Sequence, residues 1–448
     1  MSETYDAVVI GAGPAGEVAV SRLVKQGLRT ALVERDLVGG ECAYWACIPS
    51  KTLLRPPEAR AEARRAPGLL EPELRWNEVV EYRNYMIRDL DDSSAIAGYE
   101  TSGVAVLKGE ARITAPGVIE VEGRTVKSER IVIATGSEAT VPPIEGIESV
   151  DYWTNREATT LSEIPRDVIV LGGGPVGIEL GQMLCRYGTA VTIVQAPERL
   201  IDREDPAVGE LIGRALLEDG VDLRLGRRAL TATMQDGRPA LELDSGDSIA
   251  AERLIVATGR RPRARGLGLE SIGIKLGDRG GIPIDERCRA ADGVWAIGDV
   301  TGVSMFTHVG KYQARVACAD VAGTEVRADY RAIPRVVFSD PEIAAVGLTS
   351  EQASEQGIDL AEGRADLMGV ARTETYGKSL GGELGVLADR GRGILVGAWA
   401  VGPLASEWIH QAVLAVKTET RIEVLLDTVA QFPTFSEVYL NALEDLDV

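Results

Sequence analysis

The pattern of apolar and polar positions repeats once along the chain. Residues 5–16, YDAVVIGAGPAG, and residues 166–177, RDVIVLGGGPVG, each run from a short apolar stretch into Gly-x-Gly-x-x-Gly. Each copy continues with a helical pattern and a second apolar strand, at 15–26 and 30–34 in the first copy and at 176–187 and 190–195 in the second. This order of strand, glycine turn, helix and strand predicts two βαβ units that each bind a nucleotide.

The three glycines of each motif have separate tasks. The first permits a tight turn, the second lets the backbone approach a pyrophosphate, and the third lets the helix pack against the strand. The free N–H groups at the helix start then attract the phosphates. These glycines are Gly11, Gly13 and Gly16 in the first copy and Gly172, Gly174 and Gly177 in the second.

The ends of the two second strands differ in charge. Glu34 lies 18 residues after Gly16, and a carboxylate there accepts hydrogen bonds from ribose hydroxyls and repels a 2′-phosphate. Gln195 lies 18 residues after Gly177 and is neutral, so it tolerates a 2′-hydroxyl or a 2′-phosphate. Arg199 is near enough in sequence to assist a phosphate, so the second copy slightly favours NADPH over NADH.

A similar strand closes each copy, IVIATGS at 131–137 and LIVATGR at 254–260. A turn-rich stretch with alternating apolar residues precedes each closing strand and is typical of an antiparallel meander. The pattern therefore predicts an α/β protein with two Rossmann-like nucleotide-binding domains that carry antiparallel meanders.

Composition narrows the function classes. The chain has 448 residues, of which 45% are hydrophobic and 26% charged, as expected for a globular protein with several domains. A net charge of −20 disfavours a nucleic-acid partner. Apolar runs stay well short of the ~18 residues of a membrane helix, and the first residues carry no basic signal region. Five cysteines indicate reduced thiols, so we expect a cytoplasmic protein without membrane partners.

Two cysteines stand out, Cys42 and Cys47 in GGECAYWACIPSK at 39–51. A zinc half-site does not fit them, because the sequence offers no second cysteine pair and its only histidines are His308 and His410. A disulfide between them is the better account, and no metal site is predicted. The other cysteines lie in apolar contexts that favour buried, inert thiols: Cys185, Cys288 and Cys318.

In this order the motifs resemble the class I pyridine nucleotide–disulfide oxidoreductases, the group of dihydrolipoamide dehydrogenase, glutathione reductase and mercuric reductase. The resemblance covers nearly the whole chain and includes GGGPVGIE at 172–179, GVWAIGDV at 293–300 and VVFSDPEIAAVGLT at 336–349. It implies FAD in the first copy, NAD(P)H in the second and an α+β dimerisation domain. The implied segments are 1–150 for FAD, 151–270 for NAD(P)H, 271–333 completing the FAD site and 334–448 for dimerisation.

The resemblance also implies individual roles. Cys47 is expected against the flavin as the charge-transfer thiol, and Cys42 as the outer, interchange thiol. Lys51 is expected beside flavin N5, paired with Glu179, and Asp299 on the ribityl chain. The implied FAD site comprises Gly11, Gly13, Pro14, Ala15, Gly16, Glu34, Arg35, Gly40, Glu41, Lys51, Ala111, Thr135, Gly136, Asp299, Met305, Phe306 and Thr307. The implied NAD(P)H site comprises Gly172, Gly174, Gly177, Glu179, Gln195, Arg199 and Gly259.

The sequence departs from the family near its C-terminus. Family members that reduce disulfides carry His-Pro-Thr-x-x-Glu, in which the imidazole moves the proton of the outer thiol and the glutamate orients it. Here the motif reads FPTFSE, with Phe432 in the histidine position and Glu437 retained. Phe432 cannot move a proton, and His410 is expected to pack within its helix. The alternative proton carriers are Glu437, Tyr439 and Tyr44.

Three functions remain open. The first is an NAD(P)H-dependent reductase of an acceptor that needs no histidine acid, such as a quinone, a metal ion or a small electrophile. The second is a disulfide reductase or dihydrolipoamide dehydrogenase with another proton carrier. The third is a redox-sensing flavoprotein with little turnover. The chain end lacks the cysteine pair of mercuric reductase, which disfavours mercury. A homodimer with an active site shared across its interface is expected in each case.

Overall fold

The computed structural model describes residues 3–377 and 380–447. The chain forms two compact units, and each is assembled from three stretches of sequence. The first unit combines the residues up to Pro49 with Glu81–Thr140 and Gly259–Asp329. The second combines Ser50–Val80, Val141–Thr258 and the residues from Tyr330 onward. Each βαβ copy therefore has its own unit.

The first unit is built on a six-stranded sheet. Its strands lie in the order Arg289–Ala291, Val294–Ala296, Ile131–Ile133, Ala7–Ile10, Thr30–Glu34 and Ala105–Lys108. All neighbours pair in parallel except the first two strands, which are antiparallel. Strand Ala7–Ile10 in the middle of this sheet is completely buried, as expected for a strand rich in β-branched residues that is covered on both faces.

Helix Pro14–Lys25 follows the glycine turn and buries Ala19, Val20 and Leu23 against this sheet. Helix Thr307–Val321 contributes Ala314 and Cys318 to the same apolar cluster. The unit also contains a four-stranded sheet (Glu3–Thr4, Arg124–Lys127, Val118–Val121 and Ala111–Ala115) and a strand pair (Ser137–Ala139 and Arg260–Pro262).

The second unit contains a five-stranded parallel sheet. Its order is Tyr152–Trp153, Arg253–Val256, Asp167–Leu171, Ala190–Gln195 and Asp222–Leu225. An antiparallel meander accompanies it, formed by Ala229–Gln235, Arg238–Leu243 and Ser248–Ala250. The helices of this region are Asn155–Thr160, Pro175–Arg186 and Pro206–Asp219.

The C-terminal part of the second unit is an antiparallel sheet with helices. The strand order is Arg335–Val337, Glu342–Gly347, Ile394–Gly402, Glu383–Asp389 and Leu360–Asp366. Its helices are Ser350–Glu355, Ala371–Tyr376, Ala405–Trp408, His410–Thr418, Ile422–Leu426 and Val438–Glu444. Trp408 and Tyr439 pack edge to face in the core between helices and sheet.

Two of the remaining helices contain the cysteines of the 39–51 motif and two follow them: Gly40–Tyr44, Cys47–Arg65, Trp76–Met86 and Ser93–Thr101. Among the residues that the structure describes, no helix is both long enough and apolar enough to cross a bilayer.

The α/β class, both βαβ units, both meanders and the α+β C-terminal region are confirmed. The closing strands are shorter than predicted. The first ends at Ile133 and the second at Val256. After each of these strands the backbone turns and then forms a short separate strand. Gly136 and Gly259 lie in these turns with positive φ, which continues neither strand.

Candidate active site

The first glycine turn is held so tightly that two of its positions accept no side chain. Gly11 has φ +103°, and a Cβ atom there would lie 2.4 Å from the Ala134 carbonyl oxygen. A Cβ on Gly16 would lie 1.9 Å from the Gly11 carbonyl oxygen. The backbone of helix Pro14–Lys25 therefore packs directly on the turn, which requires glycine at both places.

The space beside Gly13 is open, in contrast to that beside Gly11 and Gly16. It is the N-cap of helix Pro14–Lys25, and no atom that the structure describes lies within 4 Å of the place a Gly13 Cβ would take. Gly40, the first residue of helix Gly40–Tyr44, lies against this turn, with its Cβ position 2.5 Å from the Gly13 Cα. An open glycine at a helix N-terminus is a cradle for a phosphate group.

The second copy repeats this geometry. Gly172 has φ +116°, and a Cβ there would lie 2.5 Å from the Ala257 carbonyl oxygen. A Cβ atom added to Gly177 would lie 1.9 Å from the Gly172 carbonyl oxygen. Gly174 is the N-cap of helix Pro175–Arg186, and its Cβ position has no described atom within 4 Å. Both turns thus offer the same open cradle.

The residues at the ends of the second strands are tied to these turns. One Glu34 carboxylate oxygen accepts the Ala12 N–H at 2.7 Å. In the second copy the Gln195 side-chain oxygen accepts the Gly173 N–H, also at 2.7 Å. Both side chains are buried, and the first site has a carboxyl group where the second has a carboxamide. Arg199 donates to the Asp202 carbonyl oxygen at 2.8 Å.

The two cysteines of the 39–51 motif come together around a hydroxyl group. Cys42 lies in helix Gly40–Tyr44, Cys47 is the first residue of the next helix, and the two are thiols that are not joined in a disulfide. The Thr307 Oγ1 donates to the Cys42 Sγ at 3.4 Å and lies 3.7 Å from the Cys47 Sγ. The adjacent Cys47 raises the pKa of the Cys42 thiol, and burial raises it further.

A chain of polar side chains runs from Asp299 to the cysteine helix. Ser137 donates its hydroxyl to Asp299 at 2.6 Å, and Arg260 donates to the Ser137 hydroxyl at 2.8 Å. Arg260 also donates to Glu41 at 2.7 Å. Burial raises the pKa of the Asp299 carboxyl. Asp299 and Glu41 were predicted site residues, whereas the parts of Ser137 and Arg260 were not apparent from the sequence.

Lys51 and Glu179 form the predicted pair in the second unit. The Lys51 ammonium donates to one Glu179 oxygen at 2.7 Å and lies 4.7 Å from the centre of the Phe338 ring. The other Glu179 oxygen accepts the Phe338 N–H at 2.9 Å. Glu179 is buried, and its two hydrogen bonds fix the carboxylate. The carboxylate therefore also fixes the position of the Lys51 ammonium group.

The candidates for moving a proton are engaged in other hydrogen bonds. Glu437 accepts the Thr434 N–H at 3.1 Å in a capping box. Tyr44 and Tyr439 are buried and donate to the carbonyl oxygens of Val38 and Trp408.

Phe432 and the two histidines are exposed. Phe432 is 75% exposed. The prediction that His410 packs within its helix is wrong, because it begins helix His410–Thr418 and is exposed. His308 is also exposed and stacks on Phe306 with ring centres 5.2 Å apart.

The other predicted FAD-site residues all belong to the first unit: Pro14, Ala15, Arg35, Ala111, Thr135, Gly136 and Met305. Thr135 donates its hydroxyl to the Arg263 carbonyl oxygen at 2.6 Å, and Arg35 lies 3.4 Å from Glu110. Two predicted site residues lie in the other unit. Lys51, predicted for the FAD site, belongs to the second unit, and Gly259, predicted for the NAD(P)H site, belongs to the first. Their cofactor roles stay predictions.

The residues present fit two dinucleotide cofactors. Each βαβ copy has an open glycine at a helix N-terminus for a pyrophosphate. Each also has a hydrogen-bonding side chain at the end of its second strand, where a ribose is read.

Comparison with known proteins supports this interpretation. Residues 5–314 match the model of the pyridine nucleotide–disulphide oxidoreductases, and residues 333–443 match the dimerisation domain of that family. The chain is 36% identical over 456 residues to a dihydrolipoyl dehydrogenase of Thermus scotoductus, with 99% of this chain and 98% of that protein covered. It is 32% identical to a mercuric reductase of Bacillus cereus, with 97% of this chain and 70% of that protein covered.

The fold is likewise similar to a solved structure, the Cu(II) complex of the HOCl-induced flavoprotein disulfide reductase RclA from Escherichia coli. The TM-score is 0.88 at 27% identity, and 99% of each chain is covered. The cofactors of the matched family are FAD and NAD(P)H. The chain belongs to the pyridine nucleotide–disulphide oxidoreductases and is an FAD-dependent enzyme with a dimerisation domain.

Proposed function

We propose that the protein is an NAD(P)H oxidoreductase that delivers electrons to a small acceptor without help from an imidazole acid. A metal ion or a quinone is such an acceptor. The observation that carries the proposal is Phe432, an exposed phenyl ring at the position where the family motif has its proton-moving histidine. The enzyme is proposed to act as a cytoplasmic homodimer with a shared active site.

FAD, when bound, supplies the two-electron chemistry that links NAD(P)H to the cysteine pair. The chain positions the reactants. The open turns at Gly13 and Gly174 receive the pyrophosphates, and Glu34 accepts hydrogen bonds from a ribose. Lys51, held by Glu179, supplies positive charge where negative charge develops during hydride transfer.

The cysteine pair stores the electrons. Two electrons cleave a Cys42–Cys47 disulfide to two thiolates, and a proton from solvent neutralises one of them. The sulfur that remains a thiolate is a soft ligand and a nucleophile. An acceptor that takes electrons from this thiolate does not depend on an imidazole acid, because Cu(II) is reduced to Cu(I) without a proton and a reduced quinone takes its two protons from solvent.

Among such acceptors, similarity favours metal ions. Several relatives are mercuric reductases, with 32% identity for the Bacillus cereus protein and 34% for the Staphylococcus aureus protein. RclA, which is similar in fold, has been crystallised as a Cu(II) complex. We therefore propose Cu(II) as the first acceptor to test and menadione as its quinone counterpart.

A second candidate is dihydrolipoamide or disulfide chemistry. It is favoured by the intact cysteine pair and by the similarity to dihydrolipoyl dehydrogenase. It requires a proton carrier other than histidine. Tyr44, Tyr439 and Glu437 are all engaged with backbone groups, which makes them poor replacements.

The test is NADPH and NADH oxidation with Cu(II), menadione, lipoamide and a low-molecular-weight disulfide. Wild type is compared with Cys42→Ser and with Cys185→Ser as the matched control, since the Cys185 thiol belongs to the second unit and donates to the Asp219 carbonyl oxygen. We expect turnover with Cu(II) or menadione and little with lipoamide or the disulfide. Efficient lipoamide turnover that Cys42→Ser abolishes would support the second candidate. Slow oxidation with every acceptor would indicate a redox sensor.

A further inference from the structure

Thr307 stands at the junction of the two reactive sulfurs. Its hydroxyl donates to the Cys42 Sγ at 3.4 Å, and the Cys47 Sγ lies 3.7 Å away, so one oxygen is within hydrogen-bonding reach of both thiols. Thr307 is the first residue of helix Thr307–Val321, where the helix dipole is positive. The N-cap of this helix is Phe306, and no side-chain cap is made there, so the Thr307 hydroxyl is not needed to start the helix.

Three groups act on the charge of Cys42. Cys47 opposes ionisation of Cys42, because it hydrogen-bonds to the neutral thiol and repels a second thiolate. Thr307 and Lys311 favour ionisation, the first by its hydrogen bond and the second by its positive charge. Lys311 lies one turn further along the Thr307 helix and is exposed, so solvent screens it. Thr307 is therefore the stronger of the two favourable influences.

We propose that the Thr307 hydroxyl stabilises the thiolate of the reduced pair, donating its single hydrogen to the sulfur that carries the charge. The proposal rests on the redox role proposed above for Cys42 and Cys47. Thr307 thereby stabilises the thiolate form of Cys42, the outer cysteine, which the phenyl ring of Phe432 cannot do.

The chemistry balances with the electrons that NAD(P)H supplies. Two electrons cleave the Cys42–Cys47 bond, solvent provides one proton to one sulfur, and the other sulfur stays a thiolate. The Thr307 hydroxyl loses no proton in this step. It accepts from the protonated sulfur and donates to the charged one, and the two roles exchange when the charge moves.

Thr307→Val keeps the β-branched shape and removes the hydroxyl, and Thr307→Ser restores the hydroxyl without the methyl group. The FAD-loaded proteins are reduced with dithiothreitol and treated with iodoacetamide across a pH series, and labelling of Cys42 is followed by peptide mass spectrometry. We expect the pH profile of Thr307→Val to move up by about one unit, which is about tenfold slower labelling below the inflection. Thr307→Ser should regain the wild-type profile.

Equal profiles for wild type and Thr307→Val would overturn the proposal. A shifted profile that Thr307→Ser does not restore would also overturn it, because it would trace the effect to packing. Thr307→Ala serves as a second hydroxyl-free variant if Thr307→Val does not fold with FAD. Reduction by NADPH in place of dithiothreitol separates the two proposals. If NADPH exposes no thiols while the Thr307 shift persists, the proposed function fails and the role of Thr307 stands.

Discussion

Alanine substitutions at Gly11 and Gly13 separate two requirements that one glycine motif combines. Gly11 is needed for the fold of the turn, whereas Gly13 borders the open space for the cofactor. The two positions are two residues apart in the same loop. A comparison between Gly11→Ala and Gly13→Ala therefore holds every other feature of the site constant.

The structure sets the expected magnitudes. An alanine at position 11 adopts a positive φ, which costs about 1–2 kcal/mol. Its methyl group also overlaps the Ala134 carbonyl group, with atoms at 2.4 and 2.7 Å, and overpacking of this kind costs about 1–3 kcal/mol. Gly13 has φ −72° and an open Cβ position, where Gly→Ala changes stabilise by roughly 0.4–1 kcal/mol. The variants should thus differ in their free energy of unfolding by about 2–6 kcal/mol.

The assay is urea unfolding of the FAD-free proteins, together with flavin absorbance per protein after purification. Gly11→Ala should be destabilised and poor in flavin. Gly13→Ala should be at least as stable as wild type but equally poor in flavin, because its methyl group takes the space of the pyrophosphate. Gly172→Ala and Gly174→Ala should show the same contrast for NADPH. The reasoning is refuted if Gly13→Ala retains full flavin or is destabilised as much as Gly11→Ala.

Three further outcomes are expected. Glu179→Ala should be less stable towards urea than Glu179→Gln by about 1–2 kcal/mol, since only the amide still accepts the Phe338 N–H; equal values would contradict this. Phe432→His should raise lipoamide or disulfide turnover by up to about 10²-fold without changing the fold, since residue 432 is 75% exposed; unchanged turnover would mean that the missing imidazole is not the limitation. Burial raises the pKa of Asp299, so the folded FAD-free protein holds a proton that the unfolded chain releases. Its stability should therefore fall as pH rises from about 4 through the raised value, and Asp299→Asn should lessen this fall in urea unfolding at each pH.

Local patterns predicted much of this fold. Strands Ala7–Ile10 and Asp167–Leu171, with the helices that follow them, were apparent because β-branched runs, glycine turns and helical periodicity are written in consecutive residues. The Lys51–Glu179 pair was expected from family resemblance and is present. The closing strands were overextended because the apolar run continues past Ile133 while the backbone already turns.

The contacts that escaped prediction join distant stretches of chain. Thr307 was predicted as a flavin-site residue, but its contact with Cys42, 265 residues away, was not, because no local pattern distinguishes its hydroxyl from that of any other threonine. Arg260 is 219 residues from Glu41, and their ion pair follows only from the pairing of strands Ser137–Ala139 and Arg260–Pro262. His410 was misjudged because a helical pattern does not reveal which end residues face solvent.

Glu34 and Gln195 have a consequence for how such a protein diversifies. Each fastens its glycine turn with one oxygen atom, and a carboxylate and a carboxamide provide that atom equally well. The bond to the glycine turn is therefore indifferent to the charge of the residue. The second Glu34 oxygen, which accepts the Asp36 N–H at 2.7 Å, and an incoming nucleotide are sensitive to it. Natural selection can exchange acid for amide at this position, and so alter which nucleotide is preferred, without first having to rebuild the loop.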